Sequence, residues 1–433
     1  MSKEENNKKT ESFDICMNCQ SDESENLSNK RFIILSAIIF LCFIEGLSFF
    51  DIFSYKLTQN SNDWFSYFSY SLLYLITFIF LSIPSFYLIE TNIGIALILS
   101  CICSIAREVF YFLFMNYFFI CKEISVFLSC IAIILLFNSL GKIIHLWFPF
   151  NQTIYFISYC LFFIYFGGSI SFFINEIKNN DNLLFVMSII KSVFSIICLV
   201  FLQNPIPITY NTYKTKQKNL YLPSKRNQLK KCFENINRIF ILSLIMSSHL
   251  FLFLSYYDEK GNIIRINSSY IGLVFITFII GTIIISIYFY LSTIYNYLIL
   301  GHLIISFITI LLSVVFFFSE YYPFESYLKN ILFVILHIIF GINVSIFIFL
   351  SYDYLIELNY PSVGESCSIC LYEIITCLIT LILVSINYIL REYFYNSGEI
   401  YIELVIYLIP LIIGGILYCM NIDNFQERKL KTL

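Results

Sequence analysis

Twelve apolar stretches, each long enough to cross a bilayer as a helix of about 20 residues, occupy most of this 433-residue chain. They run over 32–55, 64–89, 93–119, 124–146, 153–175, 183–203, 238–257, 270–291, 295–318, 328–352, 366–389 and 400–421. Most carry few charges, and the two-residue alternation of barrel strands is missing. In hydrocarbon every backbone polar group needs a partner within the protein, so helices remain. Hydrophobic residues make up 59% and charged residues 13%, with mean hydropathy +0.80. Soluble domains hold about 45–50% apolar and about 25% charged residues, so there is too little polar surface here to cover a water-exposed globule. The expected fold class is all-α integral membrane with twelve transmembrane helices. The formal charge of −3 gives nucleic acid no basic footprint. The 14 cysteines lie mostly inside apolar runs, where they act as small hydrophobes.

Polar segments divide the chain. Residues 1–31 are expected to be a disordered cytoplasmic tail, because they cannot bury enough apolar surface to fold. Residues 204–237 form the longest polar gap and carry Lys214, Lys216, Lys218, Lys225, Arg226, Lys230 and Lys231. This basic cytoplasmic linker separates two six-helix bundles, 32–203 and 238–421, and its prolines argue against one continuous helix. Residues 422–433 are a short charged tail. With both termini and the linker on one side, that side holds 17 Lys and Arg against 7 on the other. The positive-inside rule then puts the termini in the cytoplasm. Six spans, a basic loop and six more spans suggest two bundles flanking a central cavity, the usual build of a secondary transporter.

Ionisable groups at mid-membrane depth cost roughly 2.5–3.5 kcal/mol on insertion scales and mark candidate sites. Glu45 falls near the middle of the first span. Gly46 beside it would let another backbone approach, and Phe49 lies one helical turn on, on the same face. An acid and an aromatic ring on one face can hold an organic cation, the ring contributing about 0.5–2 kcal/mol. Arg107 and Glu108 are adjacent in the third span and point apart, so each needs a partner elsewhere, with Glu45 or Asp51 open to Arg107. Lys191 and Glu373 are single charges in the sixth and eleventh spans that could line the cavity or sit near helix ends. His249, His302 and His337 are each alone in an apolar run, where a packing role competes with proton relay. Asp353 and Glu357 share a face at the end of the tenth span. Lys142, at the equivalent end of the fourth, is their expected partner in an inner gate. Cys16 and Cys19 form a lone CxxC, too few ligands for zinc, so no metal is expected. No nucleotide loop or hydrolase motif is present, so neither a cofactor nor enzymatic catalysis is expected. Asn267-Ser-Ser is an acceptor triplet in an outer loop.

Several stretches carry a resemblance. Asp63-Trp64-Phe65-Ser66 opens the second span, which runs past Pro84 to Glu90. Gly141-Lys142-Ile143-Ile144-His145-Leu146-Trp147-Phe148 is followed by Asn151 and then Gly167-Gly168. Asp353-Tyr354-Leu355-Ile356-Glu357-Leu358-Asn359-Tyr360-Pro361 leads to Gly364-Glu365-Ser366, and Tyr270-Ile271-Gly272-Leu273 precedes Gly281. In this order and spacing they resemble the feline leukaemia virus subgroup C receptor family of major facilitator transporters, over roughly residues 32–420. The resemblance implies the 6+6 major facilitator fold, with choline, ethanolamine, haem or another small organic solute as cargo. The family's signature after span two retains its acid and glycine here, in Glu90-Thr91-Asn92-Ile93-Gly94, but not its basic residues. Choline-handling members use an aromatic in span one and a tyrosine in span seven. Those positions fall at Leu47 and Ser255, beside Phe49 and beside Tyr256 and Tyr257. The glutamines of spans four and eleven fall near Ile133 and Thr376.

The expected function is a secondary transporter in the plasma membrane or an organelle membrane, moving a choline- or ethanolamine-like cation by alternating access. Its partners would be the small organic solute, the lipid bilayer and a coupling ion left open. Glu45, Phe49, Arg107, Glu108, Tyr256 and Tyr257 would bind the solute, and Lys142, Asp353 and Glu357 would form the gate. A haem or porphyrin transporter would instead rely on Arg107, Lys191 and His249. A non-transporting receptor or scaffold would tolerate leucine at the mid-membrane charges.

Overall fold

The computed structural model describes residues 30–57, 64–111, 119–148, 150–176, 181–202, 224–256, 295–318, 326–359, 365–393 and 399–421. The expected span 270–291, residues 1–29 and 422–433 of the expected tails, Tyr257, the CxxC pair and Asn267 lie outside them, and α1 begins at Lys30, inside the expected tail 1–31. All described elements are helices: α1 (Lys30–Leu57), α2 (Trp64–Thr91), α3 (Ile93–Val109), α4 (Phe119–Trp147), α5 (Phe150–Glu176), α6 (Asp181–Phe201), α7 (Lys225–Glu234), α8 (Ile236–Tyr256), α9 (Tyr295–Phe318), α10 (Ser326–Asn359), α11 (Glu365–Tyr393) and α12 (Glu399–Met420). Eleven of them coincide with expected spans. The twelfth, α7, folds out of the basic linker, starting two residues after Pro223.

Helix boundaries shift near charged residues. α4 begins at Phe119, ahead of the expected 124, and takes Lys122 and Glu123 into its first turns. α3 closes its regular α-helical course at Val109, just past Arg107 and Glu108. Among the described residues, four helices hold the longest unbroken apolar windows: Arg31–Ser48, Leu72–Thr91, Glu123–Ile144 and Ser366–Leu390.

The helices are built inside out relative to a soluble bundle. Outward faces are aliphatic and aromatic, with Phe80 72%, Ile382 58% and Ile416 56% exposed. Serines and threonines turn inward and return their hydroxyls to their own helix, as Ser82 does to Phe78 O at 2.7 Å and Ser248 to Ile245 O at 2.6 Å. Among the described serines and threonines, Ser171 and Thr376 keep a buried hydroxyl without a partner.

Within the first half, α1 packs along α5, α3 along α4 and α6, and α2 along α4. The α1–α5 contact is the tightest. Gly46 and Gly167 face each other's helices, and a methyl at Gly46 would overlap the carbonyl of Ile164, while one at Gly167 would overlap that of Phe43. Small residues at a membrane helix crossing allow this approach, and dispersion between the backbones then stabilises the pair. Within the second half, α8 packs on α11 and α12, and α9 on α10. The halves meet chiefly through α11, which lies against α2 and α4. The apolar core of the first half also takes in Val344, Ile348 and Phe349 of α10 and Ile369 and Cys377 of α11.

Candidate functional site

Each half contains a buried polar knot. In the first, Arg107 on α3 places Nη1 2.8 Å from Glu45 Oε2 on α1 and Nη2 2.9 Å from Glu108 Oε1. Its Nε also donates to Glu108 Oε1 at 3.0 Å, so adjacent residues do pair here, through the length of the arginine. Glu108 further accepts from Ser48 at 3.0 Å and Ser188 at 2.9 Å, and Lys191 Nζ on α6 stands 3.3 Å from its Oε2. Ser129 of α4 accepts from Arg107 at 3.4 Å. Two carboxylates and two cations, none more than 4% exposed, therefore sum to zero charge across α1, α3, α4 and α6. Burial of such charges is tolerable only with this degree of mutual pairing. Glu45 Oε1 is the one carboxylate oxygen of this knot left without a hydrogen-bond partner among the described residues.

The second knot is built on two histidines. His302 on α9 directs Nδ1 to the carbonyl of Asn343 on α10 at 3.0 Å, and its Nε2 lies 3.0 Å from Nε2 of His249 on α8. Tyr407 on α12 hydrogen-bonds His249 Nδ1 at 3.2 Å. A carbonyl can only accept, so His302 carries its proton on Nδ1. With neutral rings, His249 then donates from Nε2 and accepts the Tyr407 hydroxyl. The helices joined are the first, third, fourth and sixth spans of the second half by sequence order, the same positions as in the first knot. Sequence reasoning treated these histidines singly, because 53 residues separate them and no spacing signals the contact.

The solute-binding candidates separate accordingly. Glu45, Arg107 and Glu108 come together, and Lys191, expected as a single charge, joins them. The side chains of Phe49, Tyr256 and His337, and all of Tyr257, lie outside the described residues.

At the end of the molecule where α1 begins and the linker enters, the halves are shut against each other. Lys142 Nζ lies 3.0 Å from Glu90 Oε2 and donates to Ile89 O at 3.0 Å. Ser366, in the first turn of α11, donates to Glu90 Oε1 at 2.5 Å, crossing between halves. A carboxylate at a helix N-terminus also gains from the helix dipole. Phe86, one turn before Glu90, is fully buried among Cys232 of α7 and Cys367, Cys370 and Leu371 of α11. Lys225 of α7 donates to Tyr87 O at 3.3 Å. Lys142 thus pairs with Glu90, while the side chains of its expected partners Asp353 and Glu357 lie outside the described residues. Glu90 was legible in the sequence as the remaining acid of the signature, and the α7 contact was not.

Glu90→Gln should loosen this closure. Loss of a partly exposed ion pair and weakening of one hydrogen bond is worth about 1 kcal/mol, or about a fivefold shift between closed and open forms. Labelling of Cys367 by a membrane-impermeant thiol reagent, read by peptide mass spectrometry, should rise by that factor. An unchanged rate would mean that Glu90 does not hold the end shut.

No protein-family model matches the chain, and no curated protein matches its sequence. Solved structures do match its fold. The major facilitator superfamily transporter FucP in the outward conformation aligns with TM-score 0.60 at 11% identity, over 90% of this chain and 99% of FucP. A bacterial homologue of the iron transporter ferroportin, in an outward-facing state, gives TM-score 0.60 at 13% identity over 92% and 99% of the two chains. A POT family transporter in complex with a thioalcohol-conjugated peptide gives 0.64 at 11% over 91% and 96%. Near-complete coverage of both chains in each pair, on an all-helical membrane architecture, shows that this chain has the major facilitator fold.

Proposed function

We propose that the protein is a secondary transporter that moves a small organic solute, a choline- or ethanolamine-like cation, across a membrane by alternating access. The observation that carries this reading is the division of contacts. Each half is tied internally by a buried knot, while the halves meet along α11 against α2 and α4 and, at the linker end, through an apolar plug at Phe86 and the Ser366–Glu90 hydrogen bond. Bodies each held by its own knot, packed along one shared helix and closed at one end, are suited to rocking about a central site. The solved structures of like fold are transporters of varied cargo, one of them a fucose:proton symporter, so a coupled ion belongs to the proposal.

Glu45, Arg107 and Glu108 would supply the charge of the first half toward the solute, Glu45 through its unpartnered Oε1. Phe49, Tyr256 and Tyr257 would supply aromatic faces, and Asp353 and Glu357 would join Lys142 and Glu90 in the gate. A haem carrier would need cationic and imidazole groups for propionates and iron. Arg107, Lys191 and His249 are bound to Glu108, Glu45, His302 and Tyr407, whereas the knot keeps one acceptor, Glu45 Oε1, without a partner among the described residues, which favours the cation.

Uptake of labelled choline into proteoliposomes, with haem and unlabelled ethanolamine as competitors, tests this. Saturable uptake is expected, displaced by ethanolamine and not by haem, with KM raised at least about tenfold in Glu45→Gln (about 1.4 kcal/mol of lost contact). Flux no greater than in empty liposomes would leave the receptor or scaffold role. Flux indifferent to Glu45→Gln would remove Glu45 from the site.

A further inference from the structure

We propose that Cys232 of α7 and Cys367 of α11 are a modification site, a thiol pair that a hydroperoxide converts to a disulfide, pinning the linker helix over the shut end of the molecule. This goes beyond the transport reading and needs no assumption about cargo.

The two sulfurs lie 3.4 Å apart, although 135 residues separate them in sequence. Thiols can be bridged only where their side chains converge, and these two already meet. Both are free thiols and both are fully buried. Ser368 Oγ stands 3.7 Å from the Cys232 sulfur. Once ionised, Cys232 accepts from the Cys367 thiol and the Ser368 hydroxyl, which holds it below the ordinary thiol range. The thiolate is the form that attacks a peroxide. Cys370, one turn further along α11, lies in the same apolar cluster. A soft metal would need a set of three His, Cys, Asp or Glu placed to hold it, and none occurs among the described residues.

The reaction balances with one hydroperoxide, such as hydrogen peroxide. The Cys232 sulfur attacks one peroxide oxygen and the O–O bond breaks. The departing hydroxide takes up the thiol proton as water, and a sulfenic acid remains. The Cys367 sulfur then attacks the Cys232 sulfur, the S–O bond breaks, and the hydroxyl leaves with the Cys367 proton as a second water. Two thiols have lost two electrons, and one peroxide has become two waters. A dithiol reductant reverses the bond. At an end expected to face the cytoplasm, such a disulfide is transient and redox-sensing.

Its consequence follows from what the pair lines. Phe86 of α2 is buried against Cys232, Cys367, Cys370 and Leu371, with Leu229 and Ile374 packed beside them. The socket for this plug therefore has one wall on α7 and the other on α11. Withdrawal of Phe86 is what admits a reagent to the thiols. α7 has ten residues, four of them basic, and so short a helix does not persist alone in water. It forms a wall only while it is packed. A covalent link to α11 keeps that wall standing after Phe86 withdraws, so the returning ring meets a formed socket. Oxidation thus favours the shut end.

The test treats full-length protein in nanodiscs with graded hydrogen peroxide, blocks the remaining thiols and maps disulfides by peptide mass spectrometry without reduction. A Cys232–Cys367 link should form, disappear with dithiothreitol, be absent in Cys232→Ser and Cys367→Ser, and persist in Cys370→Ser. Labelling of Cys370 by a membrane-impermeant maleimide should fall at least about threefold in the oxidised protein as the equilibrium moves toward the shut form. In Cys232→Ser the same peroxide should leave that labelling unchanged. Should a serine variant fail to fold, the link mapped in the wild type decides. A Cys367–Cys370 link in its place, sulfinic acid at Cys232 without any link, or Cys370 labelling indifferent to the link would overturn the proposal. So would a fall in labelling that persists in Cys232→Ser.

Discussion

Arg107→Met should destabilise the protein by about 3–5 kcal/mol, the cost of breaking a buried ion pair by removing one partner. The methionine matches the arginine stem in length and apolar packing, so what is lost is the charge and its donors. Glu45 would lose the partner at 2.8 Å and Glu108 two of its donors, leaving Lys191 as the sole cation facing two carboxylates. The double substitution Arg107→Met with Glu45→Gln should recover part of this, because it removes the orphaned charge along with its partner. The energies of the two changes should therefore fail to add by at least about 1 kcal/mol. Denaturant unfolding in micelles, with yield of monodisperse protein as a second readout, measures both. An Arg107→Met protein as stable as the wild type, or strictly additive energies, would mean that the network contributes little.

Gly46→Ala should have the second largest effect, about 1–3 kcal/mol from overpacking. The added methyl meets the backbone of Ile164, which has no rotamer by which to withdraw, so α1 and α5 must separate. Separation forfeits the dispersion contacts that membrane helices depend on. Gly167→Ala forces the same separation from the other side, so the double variant should cost less than the sum of the singles. Thermal unfolding of the three variants decides it. Full additivity would indicate that the two glycines relieve independent contacts.

The spans were legible because the bilayer imposes a length and an apolarity that sequence displays directly. Charges in apolar runs stood out as groups in need of partners, and of the two acids open to Arg107, Glu45 or Asp51, its guanidinium reaches Glu45. Contacts formed by ordinary residues were not legible. His249 and His302 look like isolated packing residues until their rings, from α8 and α9, are found 3.0 Å apart. The contact of α7 rests on Leu229, the buried Gln228 and Cys232, and the Lys225–Tyr87 hydrogen bond, in a stretch whose composition is that of any solvated linker. Lys142 was assigned by symmetry to acids on α10, but Glu90 on the neighbouring α2 is what its amine reaches, a question of which helix end lies nearest.

The first knot also constrains how the chain is made. Glu45 leaves the ribosome 62 residues ahead of Arg107, a delay of about 3–12 s at ordinary rates of synthesis. Alone in lipid, an acidic first helix bears an insertion penalty of roughly 2.5–3.5 kcal/mol. The neutralising cation arrives only with the third helix, so the opening segments have reason to wait beside the translocon and enter the bilayer together.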